Sequence, residues 1–173
     1  QMESLSRQTI YDLQSSLSEE LAEDYFGSAT TFVAAEIDQI TRKAKILSVG
    51  DSRAYLIDTK GNWQQITQDH SILSELLSDF PDKKEEDFAT IYGGVSSCLV
   101  ADYSEFQDKI FYQEIEIQQG ESLLLCSDGL TDGLLEEMRE KIWKQYDNDK
   151  SRLTVYRKLI EKQRFYDDLS VII

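Results

Sequence analysis

"LLLCSDGLTDGL", residues 123–134, is where this chain declares its architecture. Leu123 to Cys126 is too short to be a helix and too uniformly apolar to keep one face wet. Such a run reads as a strand buried on both faces. Two turn pairs follow it at once, Asp128-Gly129 and Asp132-Gly133. Asp-Gly is ordinary turn chemistry, because Gly reaches positive φ without a Cβ clash. A carboxylate at the end of a buried strand is also a good place to hold a cation or a substrate. From these twelve residues alone both readings of Asp128 stand: turn former or helix cap, and ligand.

Outward from this strand the pattern is mixed. Residues 3–25 place Leu5, Ile10, Leu13, Leu17 and Leu21 at helical spacing. "SATTFVAAEID" alternates as a strand, with Thr31, Val33, Ala35 and Ile37 on one side. "AKILSV" and "AYLID" are two more strands around the tight turn "GDSR", and Lys60-Gly61-Asn62 turns the chain into "WQQIT". Ser71 is a suitable N-cap for a short helix ending before Pro81. Residues 81–108 are polar and irregular around "YGGVSSCLVA". "KIFYQEIEI" is a strand leading to "SLLLC". Two helices are expected at 134–146 and 151–163, and "DDLSVII" closes the chain as a strand. Strands in blocks and helices in blocks define an α+β fold with mainly antiparallel sheets, sheet packed on sheet and helices outside, in a single domain spanning 1–173.

The totals exclude several partners. Acidic residues number 33 against 18 basic, a formal charge of −15. Nucleic-acid binders need the opposite surplus to displace counterions, so no nucleic acid is expected, and no anionic membrane. No apolar run approaches the ~20 residues of a membrane span, and no signal peptide is visible. Cys98 and Cys126 lie among apolar or small residues and read as reduced thiols of a cytoplasmic protein.

Three places share one design, an apolar strand meeting an aspartate at its end. They are "ILSVGDSR" with Asp51, "LLLCSDG" with Asp128, and "YDDLSVII" with Asp167 and Asp168. Hard divalent ions take oxygen ligands, often one or two carboxylates with water in the remaining positions. Periodicity does not say whether the three ends converge. A zinc site is poorly supplied by one histidine and two buried-type cysteines. His70 has no G-x-S-x-G partner and reads as a structural hydrogen-bonding residue. "DNDKS" at 147–151 lacks the Gly and Glu of a calcium loop and reads as a turn between helices.

Taken together and in order, "GSATTFVAAEI", "AKILSVGDSRAYLI", "QITQDHSIL", "LLLCSDGLTDGL" and "YDDLSVII" resemble the bacterial type 2C protein phosphatases, the metal-dependent serine/threonine phosphatases. The resemblance runs from about residue 5 to residue 173. It implies a four-layer α-β-β-α sandwich and hydrolysis of phosphoserine or phosphothreonine in a phosphorylated protein substrate. The cofactors implied are two Mn²⁺ or Mg²⁺ ions, with a third weaker site. By resemblance Asp128 and Asp167 are metal ligands and Asp51 belongs to the third site, while Asp168 stands where the family usually has Asn. Residues 71–100 resemble the family's flap beside the substrate.

The family's first strands carry a phosphate-binding Arg, a Glu-Asp pair and an Asp-Gly-x-Gly-Gly turn whose Asp bridges both metals. These 173 residues, which start at Gln1, contain no counterpart. The expectation is the C-terminal two-thirds of the family's domain, its N-terminal strands absent, with an N-terminal segment or a second chain completing the fold. A non-catalytic phosphatase-like binding or regulatory module, or an inactive fragment, is the alternative.

Overall fold

Leu123–Cys126 is a strand, and its residues serve two different cores in alternation. Leu124 and Cys126 pack against helices, whereas Leu123 and Leu125 point to a second sheet. The computed structural model in which this is seen describes residues 4–88, 94–106, 109–164 and 167–173. In chain order the elements are α1 (Arg7–Leu21), β1 (Ala29–Thr30), β2 (Phe32–Asp38), β3 (Lys43–Val49), β4 (Arg53–Ile57), β5 (Trp63–Gln65) and α2 (Ile72–Asp79). Then follow β6 (Leu99–Val100), β7 (Phe111–Glu116), β8 (Ser122–Cys126), α3 (Asp128–Thr131), α4 (Glu136–Gln145), α5 (Asp149–Ile160) and β9 (Val171–Ile172).

One sheet has the order β2-β3-β7, the other β5-β4-β8-β9, and β1 pairs with β6 in a small ribbon; every pairing is antiparallel. Because strand side chains alternate, each sheet presents one face to its partner and one to helices. Ala44, Ile46 and Ala54 lie between the sheets. Leu47 and Val49 on the opposite face of β3 pack under Ile10 of α1. Tyr55, Ile57 and Leu124 on the outer face of the second sheet pack under Ile142, Trp143, Tyr156 and Ile160 of α4 and α5. The layers are therefore α1, sheet, sheet, then α4 with α5: the α+β sandwich expected.

The structure redraws several details. The expected strand 28–38 is broken at Thr31, so β1 joins β6 while β2 joins β3. The helix expected over 134–146 begins at Glu136, and Leu135 is 77% exposed rather than in the core. Its place inside is taken by Arg139, which is buried with its guanidinium carbon 5.4 and 5.5 Å from the ring centres of Tyr55 and Trp63. An arginine can enter an apolar layer when aromatic faces receive its charge. Helix α5 starts at Asp149 because the Asn148 side chain accepts the Ser151 N–H at 2.9 Å. The closing strand shortens to Val171–Ile172. Of the irregular stretch 81–108, residues 89–93, 107 and 108 lie outside the described residues.

Candidate functional site

Register brings the aspartates together. β4 pairs with β8 so that Arg53 faces Cys126, and β8 pairs with β9 so that Cys126 faces Val171. The residues just before β4, just after β8 and just before β9 therefore leave the sheet at one end. They are Asp51, Asp128 and Asp167.

Ser127 fixes the middle of this end. Its N–H donates to the Ser170 carbonyl at 3.0 Å, its hydroxyl donates to the Asp168 carbonyl at 3.1 Å, and the Ser170 N–H donates back to its Oγ at 3.1 Å. The 127–129 turn and the 167–170 segment are thus tied backbone to backbone. A Cβ at residue 129 would lie 2.4 Å from the Asp168 carbonyl oxygen, so Gly129 is required by close approach. Asp128 opens α3, where the Asp132 N–H returns to the Asp128 carbonyl at 2.8 Å. The Asp168 N–H donates to Asp167 Oδ1 at 2.7 Å.

Asp51 and Asp128 each feel neighbouring carboxylates. Burial, then the charge of Asp128, raises the Asp51 carboxyl above its ordinary value. Burial, then the charges of Asp167 and Asp132, does the same to Asp128. Negative groups gathered against their own repulsion form a place where a cation would be stabilised. Their all-oxygen donor set suits a hard divalent ion. Among the described residues no three His, Cys, Asp or Glu side chains gather closely enough to enclose an ion. The fit is therefore to an open site, with one or two carboxylates per cation and the remaining positions left to water or substrate.

Behind the aspartates lies a support that periodicity did not reveal. The Arg53 Nε donates to both oxygens of Asp69, at 3.0 and 2.9 Å, and Nη2 adds a third bond. Burial acts to lower the Arg53 pKa, but the hydrogen bonds and charge of Asp69 outweigh it and the guanidinium sits above its ordinary value. Gln65 Nε2 donates to Asp69 Oδ1 at 2.8 Å. The sequence cue was the Arg of "GDSR", a charge on a strand start that needs an anion. Gly50 has φ +100°, and a Cβ there would stand 2.4 Å from Thr31 Cγ2. The Thr31 and Ser52 hydroxyls are hydrogen-bonded at 2.9 Å, which explains why the first strand breaks at Thr31.

His70 is buried and structural in its contacts. Its Nδ1 accepts the Gly50 N–H at 3.2 Å, its own N–H donates to the Gly50 carbonyl at 2.9 Å, and its carbonyl accepts the Ser96 N–H at 2.9 Å. It joins the "GDSR" turn to the 94–97 segment. Cys126 is also buried, which pushes its thiol up to about 12, so it is a packing residue and not a nucleophile. Cys98 is half-buried.

The chain is a member of the protein phosphatase 2C family, whose model matches residues 2–159. It is 36% identical over 121 residues to the serine/threonine phosphatase stp of Listeria innocua, covering 70% of this chain and 46% of that protein. It is 33% identical over 109 residues to the protein phosphatase PhpP of Streptococcus pneumoniae, covering 63% of this chain and 42% of that one. The chain thus spans just under half the length of these relatives. Among solved structures, the serine/threonine phosphatase Stp1 from Staphylococcus aureus superposes with a TM-score of 0.78 at 24% identity, covering 98% of this chain and 69% of that chain. The serine/threonine phosphatase of S. agalactiae gives 0.80 at 21% identity, with coverage of 95% and 66%. These two likenesses show the fold.

Proposed function

We propose that this chain supplies part of the catalytic domain of a metal-dependent phosphatase acting on phosphoserine or phosphothreonine in proteins. The observation that carries the reading is the meeting of Asp51, Asp128 and Asp167 at one sheet end, in a chain of this family. Asp128 and Asp167 would hold one Mn²⁺ or Mg²⁺, with Asp51 beside Asp128 serving a further, weaker site. When bound, such ions neutralise phosphoryl oxygens and lower the pKa of water, which phosphomonoester hydrolysis needs because it is so slow uncatalysed.

The chain's own residues have separate parts in this reading. Ser127 clamps the Asp167-Asp168 segment against the Asp128 turn, so the two carboxylates keep their spacing without an ion to hold them. Arg53 pairs with Asp69, and its positive charge offsets the repulsion that Asp69 exerts on Asp51. His70 fixes Gly50, and with it the direction in which Asp51 leaves the strand. The segment around Ser96, hung on His70, would border the bound phosphoprotein.

The test is phosphate release from a phosphothreonine peptide by the 173-residue chain, with and without Mn²⁺, with Asp128→Asn as control. Manganese-dependent release that disappears in the variant would show that a working site lies within these residues. A folded chain that releases no phosphate would overturn the reading for these residues by themselves and leave a phosphatase-like binding module.

A further inference from the structure

The chain that leads into Thr31, whose hydroxyl meets that of Ser52, carries a second surface. Tyr25, Phe26 and Tyr103 are 61, 69 and 73% exposed, and the rings of Phe26 and Tyr103 lie tilted by 36° with 6.0 Å between centres. An aromatic ring carries roughly 150–250 Å². Three of them about two-thirds exposed offer roughly 300–500 Å² of apolar surface, the size at which a patch on a soluble protein marks a binding site.

The patch is held rigidly. The Gly27 N–H donates to the Ala101 carbonyl and the Ala101 N–H to the Ser28 carbonyl, each at 2.8 Å. The buried Gln14 amide of α1 donates to the Val100 carbonyl at 2.7 Å and accepts the Val100 N–H at 3.1 Å. The aromatics therefore stand on a fixed ribbon and are ready to bind without further ordering.

Its surroundings are of one sign. Residues 8–28 and 94–106 contain seven acids (Asp12, Glu19, Glu20, Glu23, Asp24, Asp102 and Glu105) and neither a lysine nor an arginine. A cavity of about 310 Å³ opens beside the patch, with Asp102, Ser104 and Glu105 in its wall. An apolar platform with an acidic rim complements a segment that carries apolar and basic side chains and disfavours an acidic one. From Phe26 to Thr31 is five residues, at most about 17 Å of extended chain, so one extended peptide can lie on the patch and reach the aspartates.

We infer that this aromatic-acidic surface docks the part of the phosphoprotein that flanks the phosphorylated residue, selecting lysine- or arginine-bearing apolar segments. The inference rests on the phosphatase reading of the aspartate site. Its test uses two fluorescein-labelled phosphothreonine peptides, one with Arg and Leu flanks and one with Glu in place of Arg, titrated with the full chain by fluorescence anisotropy. Two variants are compared, Phe26→Ser/Tyr103→Ser and Asp24→Lys/Glu105→Lys, each matched to the parent by circular dichroism melting.

The basic peptide should bind about tenfold more weakly to each variant, the range expected for loss of an aromatic anchor or reversal of a rim charge. Hydrolysis of p-nitrophenyl phosphate, too small to reach the patch, should stay unchanged in both. Equal affinity for the two peptides, or variants that bind the basic peptide as the parent does, would overturn the inference. If the parent fails to hydrolyse p-nitrophenyl phosphate, the phosphatase reading falls for these residues by themselves. The unphosphorylated basic peptide then decides the docking surface alone: loss of its binding in the variants supports the surface, and undiminished binding overturns it.

Discussion

Replacing Arg53 by methionine keeps the side-chain stem and removes the charge facing Asp69. The pair is mostly buried, with 24% of the Arg53 and 14% of the Asp69 side chain exposed. A fully exposed pair contributes about 0.2–1 kcal/mol, whereas breaking a buried one costs about 3–5 kcal/mol because a charge is left uncompensated. At this intermediate burial the loss should be about 2–3 kcal/mol, part of it from losing the positive charge that offsets Asp69's repulsion on Asp51. For a chain of this size each kcal/mol moves Tm by roughly 2–4 °C, so a fall of about 4–12 °C is expected. Thermal and urea unfolding of Arg53→Met, Asp69→Asn and the double variant measure it. The double variant should recover at least half of the loss, since it buries no unpaired charge. A single variant within about 1 kcal/mol of the parent, or a double variant no more stable than Arg53→Met, would refute the account of Arg53 as the counter-charge of this end of the sheet.

Other outcomes follow from the same geometry. The Asp51 carboxyl is raised by burial and by Asp128, so its ionisation opposes folding at neutral pH. Without metal, Asp51→Asn should stabilise the chain by about 0.5 kcal/mol at pH 7, a small figure because the group is half exposed to solvent screening. That gain should shrink as the pH falls through the raised value and vanish below the ordinary 3.8, as urea titrations at several pH values can show. Mn²⁺ at about 100 times its dissociation constant should add about 2.7 kcal/mol to stability, and Asp128→Asn should abolish most of that gain in thermal shift. Gly129→Ala sets a methyl group 2.4 Å from the Asp168 carbonyl. It should cost at least about 2 kcal/mol and weaken Mn²⁺ binding, which titration calorimetry would detect. Leu124→Ala in the helix-facing core should cost about 2–5 kcal/mol with the metal affinity of the folded chain unchanged.

How far the structure could be read in advance depended on length and period. β3, β4 and β8 were legible because their apolar runs fill both a helix-facing and a sheet-facing layer. α3 was not, since four residues complete barely one turn and carry no periodicity. Arg139 was overlooked as a core residue because only a three-dimensional view puts Tyr55 and Trp63 around it. The aspartates themselves were visible as strand-end residues. Their convergence was not, because it depends on which strands are neighbours, and β4, β8 and β9 lie far apart in sequence. Asp69 was missed for the same reason: its contact is with an arginine sixteen residues earlier across a strand pair.

Gln14 does more than join α1 to the ribbon. Its side-chain amide offers Val100 one donor and one acceptor, the same two functions that a peptide group of a neighbouring strand would offer. The helix thereby imitates a strand on the side of Val100 that faces away from its β1 partner Ala29, and the ribbon has no vacant backbone there for a foreign strand to extend. Glutamate in its ionised form has two acceptors and no donor, so a substitution of nearly identical shape would strand the Val100 carbonyl and reopen that flank. Protection against self-association thus rests at this point on one amide nitrogen.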